Sequence, residues 1–266
     1  MIRDITLGQY YQSESLIHRL DPRLKIIAAI AYIAVLFVVD DLIGFAIAWV
    51  GLEIIISMSR VPRRFILRGL RPVFLIIAFT LIVNMFMIQG EVLVQIWKFH
   101  ITREGLQMAV FMGIRLVLLI IGSSMLTLTT RPISLTDGIE SLLSPLKRLG
   151  LPAHELAMMM TIALRFIPTL LEETDKIMKA QQARGADFET GSLLRRAKAL
   201  VPILVPLFIS AFRIAQDLAM AMEARCYGCG IKRTRMNEIR FTRRDAAAAV
   251  VFGAFIAVIV LERFLW

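Results

Sequence analysis

Two short stretches carry the residue types best suited to specific recognition: Gln182-Ala183-Arg184-Gly185 and Glu223-Ala224-Arg225-Cys226-Tyr227-Gly228. In each, a small residue precedes an arginine at the predicted end of an amphipathic helix. A guanidinium is a rigid planar fork that bonds carboxylates or carbonyls two at a time. The small neighbour lets such a helix end enter a narrow groove. A single Ala-Arg-Gly often does no more than stop a helix, with Gly185 taking the left-handed position after it. Two near-copies on consecutive helices point instead to docking against a soluble partner.

Other candidates are weaker. Cys226-Tyr227-Gly228-Cys229 is a C-x-x-C, but zinc takes four ligands and His18, His100 and His154 lie far away in sequence. A redox role would need a thioredoxin-like context, which is absent. Glu53 and Arg115 are ionisable residues towards the middle of apolar runs, where such residues are candidates for function. They are expected to pair inside the helix bundle, or else to snorkel separately. Asn84 suits a helix–helix hydrogen bond. Met158, Met159 and Met160, with Met178, Met220 and Met222, suit core filling or an adaptable contact surface. No G-x-x-x-x-G-K-[ST] is present, so the chain is not itself a P-loop ATPase. No catalytic residue, metal ligand or cofactor site is assigned.

The elements that must hold these helix ends are largely apolar. The 266 residues are 58% hydrophobic, with a net charge of +10 and a mean hydropathy of +0.70. Uninterrupted apolar runs of this kind mark an all-α integral membrane protein. The lysines and arginines fall between the runs, as a positive-inside bias requires, and no nucleic-acid motif accompanies them. The stretch 1–18 lacks the apolar core of a signal peptide.

Five spans are predicted, over 24–39, 42–58, 72–89, 105–130 and 246–261. Asp21 with Pro22 predicts an N-cap and first helical position, placing Arg23 and Lys25 at the membrane surface. Asp40 and Asp41 lie outside. Arg60, Arg63, Arg64, Arg68 and Arg71, with no acid among them, lie inside. The stretch 90–104 reads as an external loop with a short amphipathic element, anchored by Trp97 and Phe99. Arg131, Lys147 and Arg148 are cytoplasmic, as are Lys232, Arg233, Arg235, Arg240, Arg243 and Arg244. The N-terminus is thus inside and the C-terminus outside.

Between the fourth and fifth spans lies a coupling-helix region, 131–244, flanked by the four-span region 1–130 and the last helix, 245–266. Here 153–171 is apolar but carries His154, Glu155, Arg165 and Pro168, and is read as a helix packed under the spans. With Pro202 and Pro206, 199–212 is read as too short to cross. Glu172, Glu173 and Asp175 suit a helix N-terminus after Pro168. Ile167, Leu170, Leu171, Ile177 and Met178 give the first helix one apolar face. Leu207, Phe208, Ala211, Phe212, Ala215, Leu218, Ala219 and Met222 do the same for the second, with Arg213 and Asp217 paired opposite.

With these residues in view, the chain resembles the transmembrane T component of energy-coupling factor (ECF) transporters, ABC-type importers of vitamins and transition-metal ions. The likeness rests on Ser15 and the run His18 to Lys25, and on the paired tips. Ala183-Arg184-Gly185 matches the family signature in full, and Ala224-Arg225-Cys226 matches it with Cys in place of Gly. The resemblance implies a non-catalytic subunit in the cell membrane. Its partners would be two cytoplasmic ATPase subunits, gripped by Ala183, Arg184, Gly185, Ala224 and Arg225, and a membrane substrate-binding (S) subunit. The alternatives are a stand-alone secondary transporter, which should show midplane ionisable residues in matched halves, and a membrane enzyme using Cys226 and Cys229.

Overall fold

The computed structural model describes residues 10–88, 91–96, 99–145, 152–186, 188, 192–227 and 241–265. The described residues form an all-α architecture with one small hairpin. In order the elements are α1 (Pro22–Val38), α2 (Leu42–Ser59), α3 (Arg63–Leu70), α4 (Phe74–Met87), β1 (Val92–Ile96), β2 (Phe99–Thr102), α5 (Arg103–Thr129), α6 (Pro132–Leu143), α7 (Ala153–Ala183), α8 (Leu193–Ala224) and α9 (Arg243–Leu265). They divide into two compact units, one from Gly8–Ala157 with Ile239–Trp266 and the other from Met158–Glu238.

The first unit is built around α5, the longest of its helices at 27 residues, against which α1, α2, α3 and α4 pack. Its core holds Leu36, Phe45, Ala48, Leu118, Leu128 and Ile259, all essentially inaccessible to solvent. In lipid no hydrophobic gain separates helix from helix, so close packing must supply the contact energy and small residues mark the seams. Gly122 of α5 faces Tyr32 of α1, and a Cβ there would stand 2.4 Å from the ring. Gly51 of α2 makes the same approach to Phe255 of α9. The outward faces of α2, α4 and α9 are covered in exposed Leu, Ile, Val and Phe, as lipid contact requires.

Each of the five runs predicted to span is found as a helix. Among the described residues, five helices are long and apolar enough to cross a membrane, Leu42–Ser59, Arg103–Thr129, His154–Ala183, Leu200–Ala224 and Arg243–Arg263. The pair Arg63–Leu70 and Phe74–Met87, bent by 57°, brings the total to six if counted as one span. The number matches expectation but the membership differs. With 17 residues, α1 is shorter than the roughly 20 that a perpendicular span needs. The basic loop is largely helix, since α3 sets Arg63, Arg64 and Arg68 on an amphipathic turn that buries only Ile66. The stretch after α4 is an antiparallel β1–β2 hairpin with an irregularity between Val92 and Val94. Trp97, Lys147 and Arg148 lie outside the described residues.

In the second unit two expectations are corrected. Pro168 does not begin a helix, because α7 runs unbroken through it for 31 residues. Glu172, Glu173 and Asp175 are therefore mid-helix. Likewise α8 runs for 32 residues through Pro202 and Pro206, so 199–212 is part of a helix easily long enough to cross. A proline deletes one backbone donor, and a long helix survives that loss where the freed carbonyl finds another partner. One such partner is visible: Gln181 Nε2 donates to the Pro202 carbonyl at 3.5 Å. The ion pairs of the described residues do not include Arg213 with Asp217.

Candidate functional site: two arginine-capped helix ends

The ends of α7 and α8 share one backbone geometry. At the first, Gly185 N–H donates to Gln182 O (2.9 Å) and Ala186 N–H to Gln181 O (3.0 Å). At the second, Cys226 N–H donates to Glu223 O (2.8 Å) and Tyr227 N–H to Met222 O (2.9 Å). Both are Schellman motifs, in which two tightened bonds satisfy the last carbonyls and the residue after the cap turns left-handed. The cap residues are Arg184 and Arg225, and the left-handed residues are Gly185 (φ 88°) and Cys226 (φ 55°). Cysteine thus adopts the glycine conformation, and the helix ends at the matching residue despite the substitution. Gly228 and Cys229 lie outside the described residues.

Ala183, Arg184, Gly185, Ala224, Arg225 and Cys226 are all exposed. The helices run antiparallel: the Gln181–Pro202 bond joins the end of α7 to the first third of α8, and the Tyr227 hydroxyl meets Met158 Sδ near the start of α7. The two arginines therefore stand at opposite ends of the pair. From Met158 to Gln181 the rise of about 1.5 Å per residue separates the tips by about 35 Å. Exposed Val201, Leu204, Val205, Phe208, Ile209 and Phe212 line α8 between them.

The second sequence feature, from Ser15 to Lys25, forms a clasp in the first unit. The Asp21 carboxylate caps α1 by accepting from Arg23 N–H at 2.8 Å, with Pro22 at the first helical position as expected. The Asp21 N–H donates to Asp245 Oδ1 at 2.9 Å, and Asp245 Oδ2 accepts from the Thr242 N–H and hydroxyl. Lys25 is buried rather than at a membrane surface, because its Nζ donates to the carbonyls of His18 (3.2 Å) and Thr129 (3.0 Å). His18 hydrogen-bonds Ser15 Oγ through Nδ1 (2.7 Å) and the Tyr11 carbonyl through Nε2 (3.0 Å). The carbonyl can only accept, so Nε2 carries the proton. Burial holds His18 below the ordinary histidine range and keeps it neutral.

The clasp ties together the ends of α1, α5 and α9. Asp245 and Thr242 escaped the sequence reading although the signal was there, for Thr242-x-x-Asp245 is a capping-box spacing just before an apolar run.

Glu53 and Arg115 do not pair. Arg115 donates to the Val39 carbonyl and to Asp40 Oδ1 (3.0 Å) and lies over the Phe45 ring, while Asp40 Oδ2 also meets Arg263 (3.1 Å). Glu53 pairs with Arg63 at 3.0 Å. Arg115 is level with the start of α2, and Glu53 lies eight residues past Phe45, about 12 Å along the helix. Asn84 bonds within its own helix, to the Thr80 carbonyl at 2.9 Å.

Fold and tips together define a multi-pass helical membrane protein that presents two matched arginine-capped helix ends. The family model described as "Cobalt transport protein" (CbiQ) matches residues 13–236, which takes in the Ser15–Lys25 stretch and both tips. A protein of Thermosediminibacter oceani, "Energy-coupling factor transporter transmembrane protein EcfT", is 56% identical over 265 residues, covering 100% of both chains. Its namesakes in Clostridium kluyveri and Bacillus subtilis are 55% and 46% identical, over 100% and 94% of this chain and 99% and 95% of theirs. The chain belongs to the EcfT family, the transmembrane components of ECF transporters.

Proposed function

We propose that the chain is the coupling subunit of an ECF-type importer, linking ATP hydrolysis by two cytoplasmic ATPase subunits to movement of a membrane substrate-binding subunit. Uptake of a vitamin or other micronutrient is the outcome. The observation that carries this reading is the repetition of one exposed Ala-Arg cap at two sites about 35 Å apart, set by the length of α7 between its contacts. Two equivalent grooves on a pair of ATPase subunits would take one tip each. Arg184 and Arg225 bond acceptors of the groove wall, and Ala183, Gly185 and Ala224 permit close approach.

When the ATPase pair closes, the tips shift relative to each other, and the two helices carry that shift to the face holding the substrate-binding subunit. In this reading 131–244 is the coupling region and the basic α2–α4 segment faces the cytoplasm, which puts the N-terminus inside and the C-terminus outside. Hydrolysis is the partners' work. Purification of the tagged chain in mild detergent should bring down two ATPase subunits and a small apolar membrane protein. Recovery of the intact chain without any ATPase would overturn the reading.

A further inference from the structure

The short helix α3 and the turn after it carry a charge pattern that neither the clasp nor the tips use. Residues 60–71 hold five arginines and no acid. Arg63 is engaged by Glu53 at 3.0 Å. Arg64, Arg68 and Arg71 fall at i, i+4 and i+7, and Arg71 keeps right-handed helical dihedrals. At about 100° per residue the three lie within an arc of about 60°. All three are exposed, and among the described residues no acid pairs with any of them.

The opposite side of α3 is packed. Ile66 is buried, and a Cβ on Gly69 would stand 3.3 Å from Ser124 Oγ, near the end of α5 at Thr129. Phe65 and Leu67, both exposed, flank the arginine row, and Arg68 lies over the Phe65 ring, 5.3 Å from its centroid. Just past Arg71 the chain bends by 57° into α4, whose first residues Phe74, Leu75 and Ile76 are exposed and apolar. The arginines therefore stand at the rim where the lipid-facing surface begins, which is the level of the head groups. A row of cations bordered by apolar side chains is the pattern of a helix lying in the membrane interface.

We propose that the α3 arginine row binds anionic phospholipid head groups, with Phe65 and Leu67 dipping into the acyl boundary. A guanidinium bonds two oxygens of one phosphate at once, and the lack of any acid over 60–71 leaves the charge of the row to the lipid. Scattered arginines would only set the side of the bilayer on which the loop lies. Three on one face add a preference among lipids, because adjacent head groups meet them together. Each basic residue close to an anionic surface contributes a factor of about five. A phosphatidylcholine head group carries its own cation and offers no such gain. The surface follows from the membrane fold and holds whether or not the tips grip ATPase subunits.

The test places a fluorescent reporter beside the row in the full chain. Trp49, Trp97 and Trp266 are replaced by Phe, and Leu67→Trp is introduced at a side chain 62% exposed. The protein is reconstituted in vesicles containing brominated phosphatidylglycerol or brominated phosphatidylcholine, whose bromines quench only a neighbouring tryptophan. Quenching should favour phosphatidylglycerol at equal mole fraction. Arg64→Gln, Arg68→Gln and Arg71→Gln should each weaken that preference by as much as fivefold, and the triple variant should abolish it. Arg103→Gln, at the far end of α5, should leave it unchanged. Quenching by brominated phosphatidylcholine that stays equal in all variants shows that α3 keeps its place. Equal quenching of the parent by the two lipids, or a preference that survives the triple substitution, overturns the proposal. A reporter quenched by neither lipid also overturns it, and gives the row to an acidic protein surface instead.

Discussion

Cys226 is where one residue type and one backbone angle disagree, and the disagreement has a measurable size. At φ 55° its side chain crowds the following carbonyl, at a cost of about 1–2 kcal/mol for an L-residue. Glycine would remove that cost but gives up about 0.5–1 kcal/mol of chain entropy. Cys226→Gly should therefore stabilise the closed cap by about 0.5–1 kcal/mol net, a two- to fivefold smaller opening equilibrium. The opposite change, Gly185→Ala, acts on a residue at φ 88° with nothing within 4 Å of the added Cβ, so its whole effect is backbone strain. It should open the first cap by a similar factor.

Amide hydrogen exchange reads this locally, because the N–H groups of Cys226 and Tyr227 make the two cap bonds. Protection there should rise two- to fivefold in Cys226→Gly and stay unchanged in Cys226→Ala, which is still an L-residue. Equal protection in all three proteins, or a fall in Cys226→Gly, would refute the strain argument.

Two further predictions concern the membrane unit. Asp245→Ala removes the acceptor of the buried Asp21 N–H and of Thr242, and should cost roughly 2–4 kcal/mol from the lost cap and the orphaned donor. Thermal unfolding in detergent checks it, and an unchanged midpoint would deny the clasp its role. Gly122→Ala drives a methyl to 2.4 Å from the Tyr32 ring, costing about 1–3 kcal/mol by overpacking. Adding Tyr32→Leu should restore most of the loss, and failure of that rescue would show that the seam is not where the strain falls.

The sequence conveyed helix and tip identity well and spatial relationships poorly, for physical reasons. Long apolar runs announce helices whatever their neighbours, so 42–58 and 105–130 fall within two residues of the bounds of α2 and α5, while 246–261 marks only the apolar centre of α9. Cap chemistry is equally local, which is why Asp21, Pro22 and Gly185 were read correctly. Proline misled, since its local rule says stop while length and tertiary partners carried α7 and α8 through.

Pairings failed for a different reason. Asp21 meets Asp245 from 224 residues away, and Arg115 meets Asp40 rather than Glu53. Such partners depend on helix register, which apolarity alone does not encode. Lys25 follows the same logic, for a lysine at the edge of an apolar run normally snorkels, and the carbonyls of His18 and Thr129, with the Asp245 and Asp21 charges nearby, make burial tolerable.

The central claim is that the two arginine tips grip an ATPase pair. The measurement that tests it most directly is the amount of ATPase retained per tagged chain after solubilisation, compared among wild type, Arg184→Ala, Arg225→Ala, the double variant and Cys226→Ser. The account predicts weakened retention in each single variant, by about tenfold for one lost charged contact. It predicts loss of the complex in the double variant and no change in Cys226→Ser. Full retention by the double variant, with the chain at its normal level in the membrane, would contradict it.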